Sequence, residues 1–255
     1  MTLGLRIAAV SYLNTVPFIY GIEHAASLRA ALLLSPPNQC VTNYASGKAD
    51  IALVPVEAID SLKDTRIVGS WCLGTTGGVR TVVMMTDEPL ERIHTIYTDP
   101  HSVTSARLIR LLCSELWHIT PRFEPLTDYA RIERREAGEA FLLIGDKVFG
   151  YEGTTKYTHD LSDAWRALTG LPFVFAAWVA REGVAQQAVD LLDDALAYGV
   201  AHIPEAVAAS VHADKPYAVE YLTKNIDFRF DEPKRQALAL FREKSREYAL
   251  RGDPG

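Results

Sequence analysis

Short apolar runs that read as buried strands alternate along this chain with segments whose apolar residues follow helical spacing. The strand-like runs are Leu5–Val10, Ile51–Pro55, Val79–Met85, Thr95–Thr98, Phe141–Ile144 and Phe173–Val179. Helical spacing places apolar residues on one face at Leu108, Ile109, Leu112, Cys113 and Leu116, and again at Val184, Ala188, Leu191, Leu192 and Ala195. This alternation predicts an α/β fold.

The composition is that of an ordinary globular chain. Of 255 residues, 48% are hydrophobic and 23% are charged, which suits one large domain or two lobes. The formal net charge of −6 and the absence of a basic block disfavour binding to nucleic acid, which requires neutralisation of phosphates. No apolar run reaches the roughly 18 residues that a membrane span requires, so no membrane partner is expected.

Cysteine, histidine and N-terminal patterns indicate neither secretion nor a metal or nucleotide cofactor. The three cysteines, Cys40, Cys72 and Cys113, lie far apart, and the N-terminus carries no signal-peptide pattern. The seven histidines form no HExxH or similar spacing, and neither GxGxxG nor a Walker loop occurs. We therefore expect a cytoplasmic protein with reduced thiols, no metal and no cofactor.

The segment Ser11–Phe18 follows the first predicted strand and changes abruptly from apolar to hydrogen-bonding residues. It reads Ser-Tyr-Leu-Asn-Thr-Val-Pro-Phe. The carboxyl end of a strand is where α/β folds place ligand-contacting groups, which makes Asn14 a candidate contact. The alternative is structural, with Asn14 or Thr15 capping the next helix and Pro17 in its first turn. The local pattern leaves both interpretations open.

The loop Thr75–Val82 combines two adjacent glycines with threonines and leads into a predicted strand. Glycines allow the backbone to approach a ligand closely, and Thr75 and Thr81 supply hydroxyl donors. Arg80 would alternate away from Thr81 along a strand, so we expect it to be a solvated surface residue. The loop is therefore a second candidate contact region.

The loop Thr98–Ser105 leads from a predicted strand into the first helical stripe. Free N–H groups at a helix start, together with the hydroxyls of Ser102, Thr104 and Ser105, would form a cradle for a carboxylate. The alternative is an ordinary helix cap by Asp99 or Ser102.

Two acidic residues also follow predicted strands. Asp146 stands in the Gly-Asp-Lys segment after Phe141–Ile144, where it either pairs with Lys147 or anchors the wall of a binding site. Glu57 follows Ile51–Pro55 and could act as a base, although a glutamate that starts a helix more commonly stabilises the helix dipole.

Four segments taken together are similar to one known family. They occur in the family's order and are Ser11–Phe18, Asp50–Glu57, Leu142–Lys147 and Thr169–Trp178. The family is the menaquinone-biosynthesis family that contains chorismate dehydratase and, as a paralogue, dihydroxynaphthoate synthase. The opening Ser-Tyr-Leu-Asn with a nearby proline resembles the dehydratase branch. The paralogue has a different opening, rich in Pro, Cys, Asn and Asp, which this chain lacks.

Both hydroxyl-bearing loops resemble the same family, with departures. Thr75 and Thr81 stand where serines are usual, a change that keeps the hydroxyl group. The later loop is similar to the family's Asp…Ser…Thr-Ser pattern, which favours an anion site over a simple cap. His101 stands in that loop where a small residue is expected, and it stays unassigned.

The resemblance implies a two-lobed fold of the type II periplasmic-binding-protein class, with the ligand in the cleft between the lobes. Lobe one would comprise residues 1–86 plus 175–255, and lobe two residues 87–174. The strand-like runs Val79–Met85 and Phe173–Val179 would then be the crossing segments. Without the resemblance, the same runs equally fit a single long sheet.

The resemblance also implies an activity, the loss of water from chorismate to give 3-[(1-carboxyvinyl)oxy]benzoate on the futalosine route to menaquinone. Chorismate is a small dicarboxylate with a ring hydroxyl, so its site needs several hydrogen-bond donors. We expect Asn14 to be the catalytic residue that orients the substrate. The expected substrate-binding residues are Ser11, Thr15, Thr75, Thr81, Ser102, Thr104, Ser105 and Asp146.

Two other functions stay open. One is the paralogous dihydroxynaphthoate synthase-type lyase, which acts on a larger substrate, cyclic dehypoxanthinylfutalosine. The other is a cytoplasmic protein that binds a small carboxylate without catalysis. The opening segment Ser11–Phe18 argues against the first, and ligand binding without turnover would favour the second.

Overall fold

The structure is a computed structural model that describes residues 4–26, 28, 32–213 and 215–251. Its strands are β1 (Ile7–Val10), β2 (Leu32–Ser35), β3 (Ile51–Pro55), β4 (Thr65–Thr75), β5 (Val82–Thr86), β6 (Thr95–Thr98), β7 (Arg122–Pro125), β8 (Glu139–Ile144), β9 (Tyr157–Asp160), β10 (Phe173–Arg181) and β11 (Asp227–Arg229). Its α-helices are α1 (Val16–His24), α2 (Pro37–Ala45), α3 (Thr104–Leu112), α4 (Leu161–Thr169), α5 (Gln186–Ala201), α6 (Ile203–Ala208), α7 (Tyr217–Lys224) and α8 (Glu232–Leu250). Every predicted strand-like run therefore overlaps a strand.

The chain divides into two compact units. Unit one comprises Met1–Thr75 and Val174–Glu232, and unit two comprises Thr76–Phe173 and Pro233–Gly255. The chain thus passes into unit two about ten residues earlier than residue 87, the boundary expected from the sequence. The larger difference is α8, which groups with unit two although the sequence analysis placed it in lobe one.

Unit one is built on a six-stranded sheet in the order β11-β4-β10-β3-β1-β2. β1 runs parallel to β2 and β3, and β10 runs antiparallel to β3. β1 and β3 are buried over their whole lengths, because strands in the middle of such a sheet are covered on both faces. Their continuous apolar runs follow from this position.

Helices α1 and α5 cross closely in unit one because each has a glycine at the crossing. A Cβ atom on Gly21 would lie 1.9 Å from the carbonyl oxygen of Ala195, and one on Gly199 would lie 1.8 Å from that of Pro17. Both distances are far shorter than van der Waals contact, so neither position has room for a side chain. The crossing fixes α1, whose first turn directly follows the segment Ser11–Thr15.

Unit two is built on a five-stranded sheet in the order β7-β6-β8-β5-β9. β6 runs parallel to β7 and β8, whereas β5 runs antiparallel to both β8 and β9. Alternate residues of β5 and β8 point to one face, where they meet residues from the loops. This core contains Val83, Met85, Leu126, Ile132, Phe141, Leu143 and Val148.

Helix α8 belongs to unit two because its apolar face packs there. The ring of Phe241 on α8 makes edge-to-face contacts with Phe173, at 5.2 Å between ring centroids, and with Trp165 on α4, at 6.0 Å. Such contacts add to the burial of large apolar rings. Lys244, one turn further along α8, forms an ion pair with Glu115 at 2.6 Å. These partners lie more than 65 residues away along the chain, which is why local pattern did not indicate them.

Neither a membrane-spanning helix nor a metal-binding cluster occurs within the described ranges. No helix there is long and apolar enough to cross a bilayer. No three His, Cys, Asp or Glu side chains there are close enough to hold a metal ion. Cys40, Cys72 and Cys113 are buried and form no disulfide. Burial raises the pKa of Cys113 to about 12, so this thiol stays protonated at neutral pH.

Candidate functional site

In unit one, three strands end in loops at one edge of the sheet. Because β1 runs parallel to β2 and β3, the residues that follow Val10, Ser35 and Pro55 lie at the same edge. The N–H of Ser11 donates to the carbonyl of Ser35 at 3.2 Å and joins the first two loops. The carboxyl edge of parallel strands is where open α/β sheets bind ligands. The predicted contact segment therefore begins at the expected place.

The segment after β1 forms a 3₁₀ turn over Leu13–Thr15 and continues into α1. Thr15 is fully buried, and its hydroxyl faces the carbonyls of Val10 and Tyr12, the latter at 2.7 Å. Its single proton is therefore used within the turn, and the side chain is closed to a ligand. The capping interpretation also differs from the structure, since no described side chain caps α1, although Pro17 does occupy its first turn.

Asn14 lies in the middle of this turn and is half-buried. Its side-chain oxygen, Oδ1, is shielded from water and has no hydrogen-bond partner among the described residues. A buried acceptor without a partner costs about 1–3 kcal/mol, and native proteins keep few of them. Its place at the carboxyl edge makes this oxygen the strongest candidate contact for a ligand in unit one.

The side chains of Ser11 and Thr75 differ in their exposure to solvent. Ser11 is exposed and lines a pocket of about 270 Å³ in unit one, together with Tyr12, Glu23 and His212. Thr75 is the last residue of β4, and its side chain is almost fully enclosed. Of these two predicted contacts, only Ser11 offers its side chain to a small molecule.

Unit two also gathers its candidate loops at one edge. The carboxyl ends of the parallel strands β6, β7 and β8 lie there, and the antiparallel β5 begins there. Thr81 directly precedes β5, and its carbonyl accepts the N–H of Gly145, which follows β8, at 2.8 Å. Thr81 is buried, and Asp146 is half-buried in the 3₁₀ turn Gly145–Gly150. The structure thus brings these two predicted contacts into neighbouring loops.

The loop after β6 forms a tight turn before α3. The N–H of Ser102 donates to the carbonyl of Asp99 at 2.9 Å, and that of His101 donates to the Asp99 carboxylate at 2.9 Å. Neither Asp99 nor Ser102 caps α3, which begins without a side-chain cap in the described residues. Thr104 and Ser105 form its first turn and are buried. The capping alternative is therefore wrong for this loop.

The hydroxyl oxygen of Ser102 is the counterpart of the Asn14 amide oxygen. It is buried, and no described residue hydrogen-bonds to it. It lies just before the amino end of α3, where free N–H groups and the helix dipole favour an anion. A hydroxyl that could donate to an anion thus lies next to an uncapped helix start, and the carboxylate cradle predicted for this loop stays a prediction.

One interpretation of the Gly-Asp-Lys segment is an ion pair between Asp146 and Lys147, and the structure does not contain it. The Lys147 ammonium donates to the carboxylate of Asp99 at 2.6 Å and to the hydroxyl of Tyr129 at 2.8 Å. Burial by itself lowers the pKa of Lys147, but the hydrogen bonds to Asp99 and Tyr129 raise it more, so the lysine is a cation at neutral pH. The sequence analysis missed Tyr129, because the strand that precedes it, β7, was not predicted either.

The loop Thr75–Val82 is held on the amino end of α4. The main-chain N–H of Arg80 donates to the Asp160 carboxylate at 2.7 Å, and Arg80 has a positive φ of 63°. Its guanidinium pairs with Glu152 at 2.9 Å, and the Arg80 side chain is 40% exposed, as expected of a solvated surface residue. Burial raises the pKa of Asp160, which also caps α4 through the N–H of Ser162. Hydrogen bonds to the residues that start α4 therefore hold this loop in place.

Comparison with known families places the whole chain in one group. A family model described as "Menaquinone biosynthesis" matches residues 5–247. The match includes the strand-end loops of both units and nearly all of α8.

Solved structures with the same fold cover almost the entire chain. Protein AF1704 from Archaeoglobus fulgidus is 16% identical, with a TM-score of 0.76 over 96% of this chain and 98% of that one. CA3427 from Candida albicans, described as having the generic periplasmic-binding-protein fold, is 10% identical, with a TM-score of 0.65 over 98% and 92%. The periplasmic aliphatic sulphonate-binding protein SsuA from Escherichia coli is 14% identical, with a TM-score of 0.65 over 97% and 92%. These likenesses confirm the predicted α/β fold of the periplasmic-binding-protein class.

Proposed function

The chain belongs to the menaquinone-biosynthesis family, and from this premise we propose that it is a chorismate dehydratase. In this reaction chorismate loses water and becomes 3-[(1-carboxyvinyl)oxy]benzoate. The family membership supports a role in menaquinone biosynthesis. The choice of chorismate rests on the chemistry of the residues at the two sheet edges and on the resemblance of Ser11–Phe18 to the dehydratase branch.

One observation carries the proposal: at the carboxyl edge of each sheet lies a buried oxygen that no described residue hydrogen-bonds. In unit one it is Oδ1 of Asn14, an acceptor, and in unit two it is the hydroxyl of Ser102, which can donate. The oxygen of unit one therefore needs a ligand donor, and the hydroxyl of unit two can serve a ligand acceptor. Chorismate carries both kinds of group, because its ring hydroxyl can donate and its carboxylates can accept.

The remaining donors in unit two fit a carboxylate. We propose that the first N–H groups of α3, with Thr104 and Ser105, bind the same carboxylate as Ser102. Thr81 and Asp146 line the neighbouring loops and shape this region. In unit one, exposed Ser11 adds a hydroxyl, whereas Thr15 positions Asn14 by closing its turn.

The chemistry requires positioning more than a strong protein base. Loss of water breaks the C3–H and C4–O bonds of the ring and forms the C3–C4 double bond that completes the aromatic system. The C3 proton is acidified by conjugation with the ring carboxylate, so donors that hold this carboxylate stabilise the developing charge. We propose that the enolpyruvyl carboxylate of the substrate accepts the proton and passes it to the departing hydroxide. Asn14 would hold the ring hydroxyl in the geometry that this transfer needs.

The direct test is to incubate the purified full chain with chorismate in the presence of EDTA and to separate the products by chromatography with mass detection. We expect a product lighter by one water, with an aromatic absorbance spectrum. Unchanged chorismate together with cleavage of cyclic dehypoxanthinylfutalosine would replace the proposal with the paralogous lyase. Binding of chorismate without conversion would favour a carboxylate-binding protein, a function that the likeness to SsuA also allows.

A further inference from the structure

Three loops that follow parallel strands of unit two converge on one ammonium group. Asp99 follows β6, Tyr129 lies in the loop after β7, and Lys147 follows β8. The Nζ atom of Lys147 lies 2.6 Å from the Asp99 carboxylate and 2.8 Å from the Tyr129 hydroxyl. The network therefore stands at the edge that also carries the Ser102 loop, and Asp99 is the first residue of that loop.

The ammonium group has one donor to spare. A lysine ammonium carries three N–H bonds, and Lys147 uses two of them for Asp99 and Tyr129. The third N–H has no acceptor among the described residues. The Lys147 side chain is 27% exposed, whereas that of Asp99 is 0% exposed. Part of the Lys147 side chain is therefore open to solvent next to a carboxylate that is fully buried.

The two partners hold the ammonium in a fixed place. The ring of Tyr129 packs against the apolar core of unit two and lies under the ammonium, 4.8 Å from Nζ to the ring centroid. The Asp99 carboxylate is held in turn by the N–H of His101. Lysine normally loses much side-chain freedom when it binds an anion, and here that freedom is already lost.

The charges around the Lys147 ammonium favour an anion at short range and in one position. Asp99 neutralises Lys147, so the pair attracts anions weakly at long range. A carboxylate placed on the third N–H gains a short charge-assisted hydrogen bond, while the amino end of α3 contributes partial positive charge in the same unit. Such a group distinguishes ligands by where their carboxylates lie.

We propose that Lys147 anchors one carboxylate of the substrate through its third N–H, and that Asp99 and Tyr129 are positioning residues for it. The proposal rests on the proposed function in one respect, the identification of the dicarboxylate as chorismate. The pairing of Lys147 with a carboxylate stands on the geometry of unit two.

Two measurements test the proposal. The first is the steady-state kinetics of chorismate conversion by the full chain and by its Lys147→Met variant. We expect the substitution to raise KM about tenfold to a hundredfold, because it removes one charged hydrogen bond to the substrate. The second is calorimetric binding of 3-(carboxymethoxy)benzoate, a stable dicarboxylate that resembles the product, with the same loss of affinity expected. Lys147→Arg keeps the charge and should restore part of both, whereas Tyr129→Phe should weaken both less than Lys147→Met does.

Lys244→Met is the matched control, because Lys244 is also half-buried in unit two and also bound to one carboxylate at 2.6 Å. It should lower the melting temperature without changing KM or probe affinity. If Lys147→Met behaves in the same way, Lys147 is a structural ion-pair residue and the proposal is wrong. Should Lys147→Met not fold, unchanged KM and probe affinity in Lys147→Arg and Tyr129→Phe overturn it.

The outcomes separate this proposal from the proposed function. If the chain converts chorismate and substitution of Lys147 leaves KM unchanged, the dehydratase proposal stands and the proposed role of Lys147 is wrong. If the chain does not convert chorismate but its binding of the probe depends on Lys147, the proposed role of Lys147 stands and the dehydratase proposal is wrong. A chain that neither converts chorismate nor binds the probe would overturn both.

Discussion

The two units present polar groups at the same kind of sheet edge but build that edge differently. At the edge of unit one the candidate contact comes from one continuous segment, Ser11–Thr15, in which Thr15 closes the turn and the Asn14 oxygen has no partner among the described residues. Unit two combines loops from β5, β6, β7 and β8, and its central group is the Asp99–Tyr129–Lys147 network.

This difference determines whether a candidate site can be predicted from the sequence. A site on one segment can be predicted, because all its residues are neighbours along the chain. A site assembled from several strand ends has no local signature, since its members are joined only when the strands pair. Unit two further depends on α8 from the far end of the chain.

The largest expected effect concerns that dependence on α8. Phe241→Ala should lower the free energy of unfolding by about 3–5 kcal/mol, because it opens a cavity against Trp165 and Phe173. Chemical denaturation monitored by circular dichroism would measure it. Leu250→Ala on the same helix is the control, since Leu250 is largely exposed and should change stability little. Equal effects of the two substitutions would mean that α8 does not complete the core of unit two.

The next effect would test the single-segment site of unit one. Asn14→Ala should lower kcat/KM for chorismate by about a hundredfold or more, because the ring hydroxyl loses its orienting partner. The melting temperature should stay the same or rise, since the substitution removes an unpaired buried oxygen. Asn43→Ala is the control, because Asn43 is half-buried in α2 and hydrogen-bonded to Gln39. Near-normal turnover by Asn14→Ala would exclude Asn14 from the mechanism.

A smaller effect is expected at the corresponding oxygen of unit two. Ser102→Ala should raise KM about tenfold with little change in kcat, because a neutral hydroxyl contributes one of several donors to the carboxylate. Thermal unfolding should be unaffected, as this hydroxyl has no partner in the described residues. Ser61→Ala, which removes a surface hydroxyl bonded to its own turn, serves as the comparison. A loss of kcat as large as that of Asn14→Ala would mean that the two edges contribute alike.

The smallest expected effect is on the pH dependence of stability. Burial by itself raises the pKa of Glu139, but the N–H of Glu136 and the Arg131 guanidinium lower it more, so its pKa lies below the ordinary value. Its contribution to stability is therefore complete above the unfolded pKa of about 4.3 and is lost as the pH falls through the lower folded pKa. Glu139→Gln should flatten the fall in melting temperature on acidification below about pH 5.

The matched change in unit one is Asp50→Asn. The pKa of Asp50 is also lowered, chiefly by its hydrogen bond with Arg6, but the Asp50 side chain is 23% exposed, whereas that of Glu139 is 5% exposed. Screening should make the pH effect of Asp50→Asn smaller than that of Glu139→Gln. The reverse order would show that burial does not distinguish the two ion pairs.

Most of the strands that were predicted from the sequence have continuous apolar runs. Predicted and observed bounds agree for β3 and β6, and β1, β5, β8 and β10 lie at or next to their predicted runs. The strands that were missed include all four sheet edges, β2, β11, β7 and β9. Edge strands such as Tyr157–Asp160 are half-exposed and polar, so they lack the signal that burial imposes. The long strand β4 mixes polar residues and glycine with apolar ones and was missed for the same reason.

By itself the sequence determined the α/β class and every interior strand except β4, and it singled out the segment that carries Asn14, because each depends on residues adjacent in the chain. The tertiary structure alone decided which unit α8 completes. It also decided that Lys147 pairs with Asp99 and Tyr129 and not with the neighbouring Asp146. Those outcomes depend on contacts made across tens of residues, where strand pairing and the packing of large side chains select one partner among many that local pattern allows.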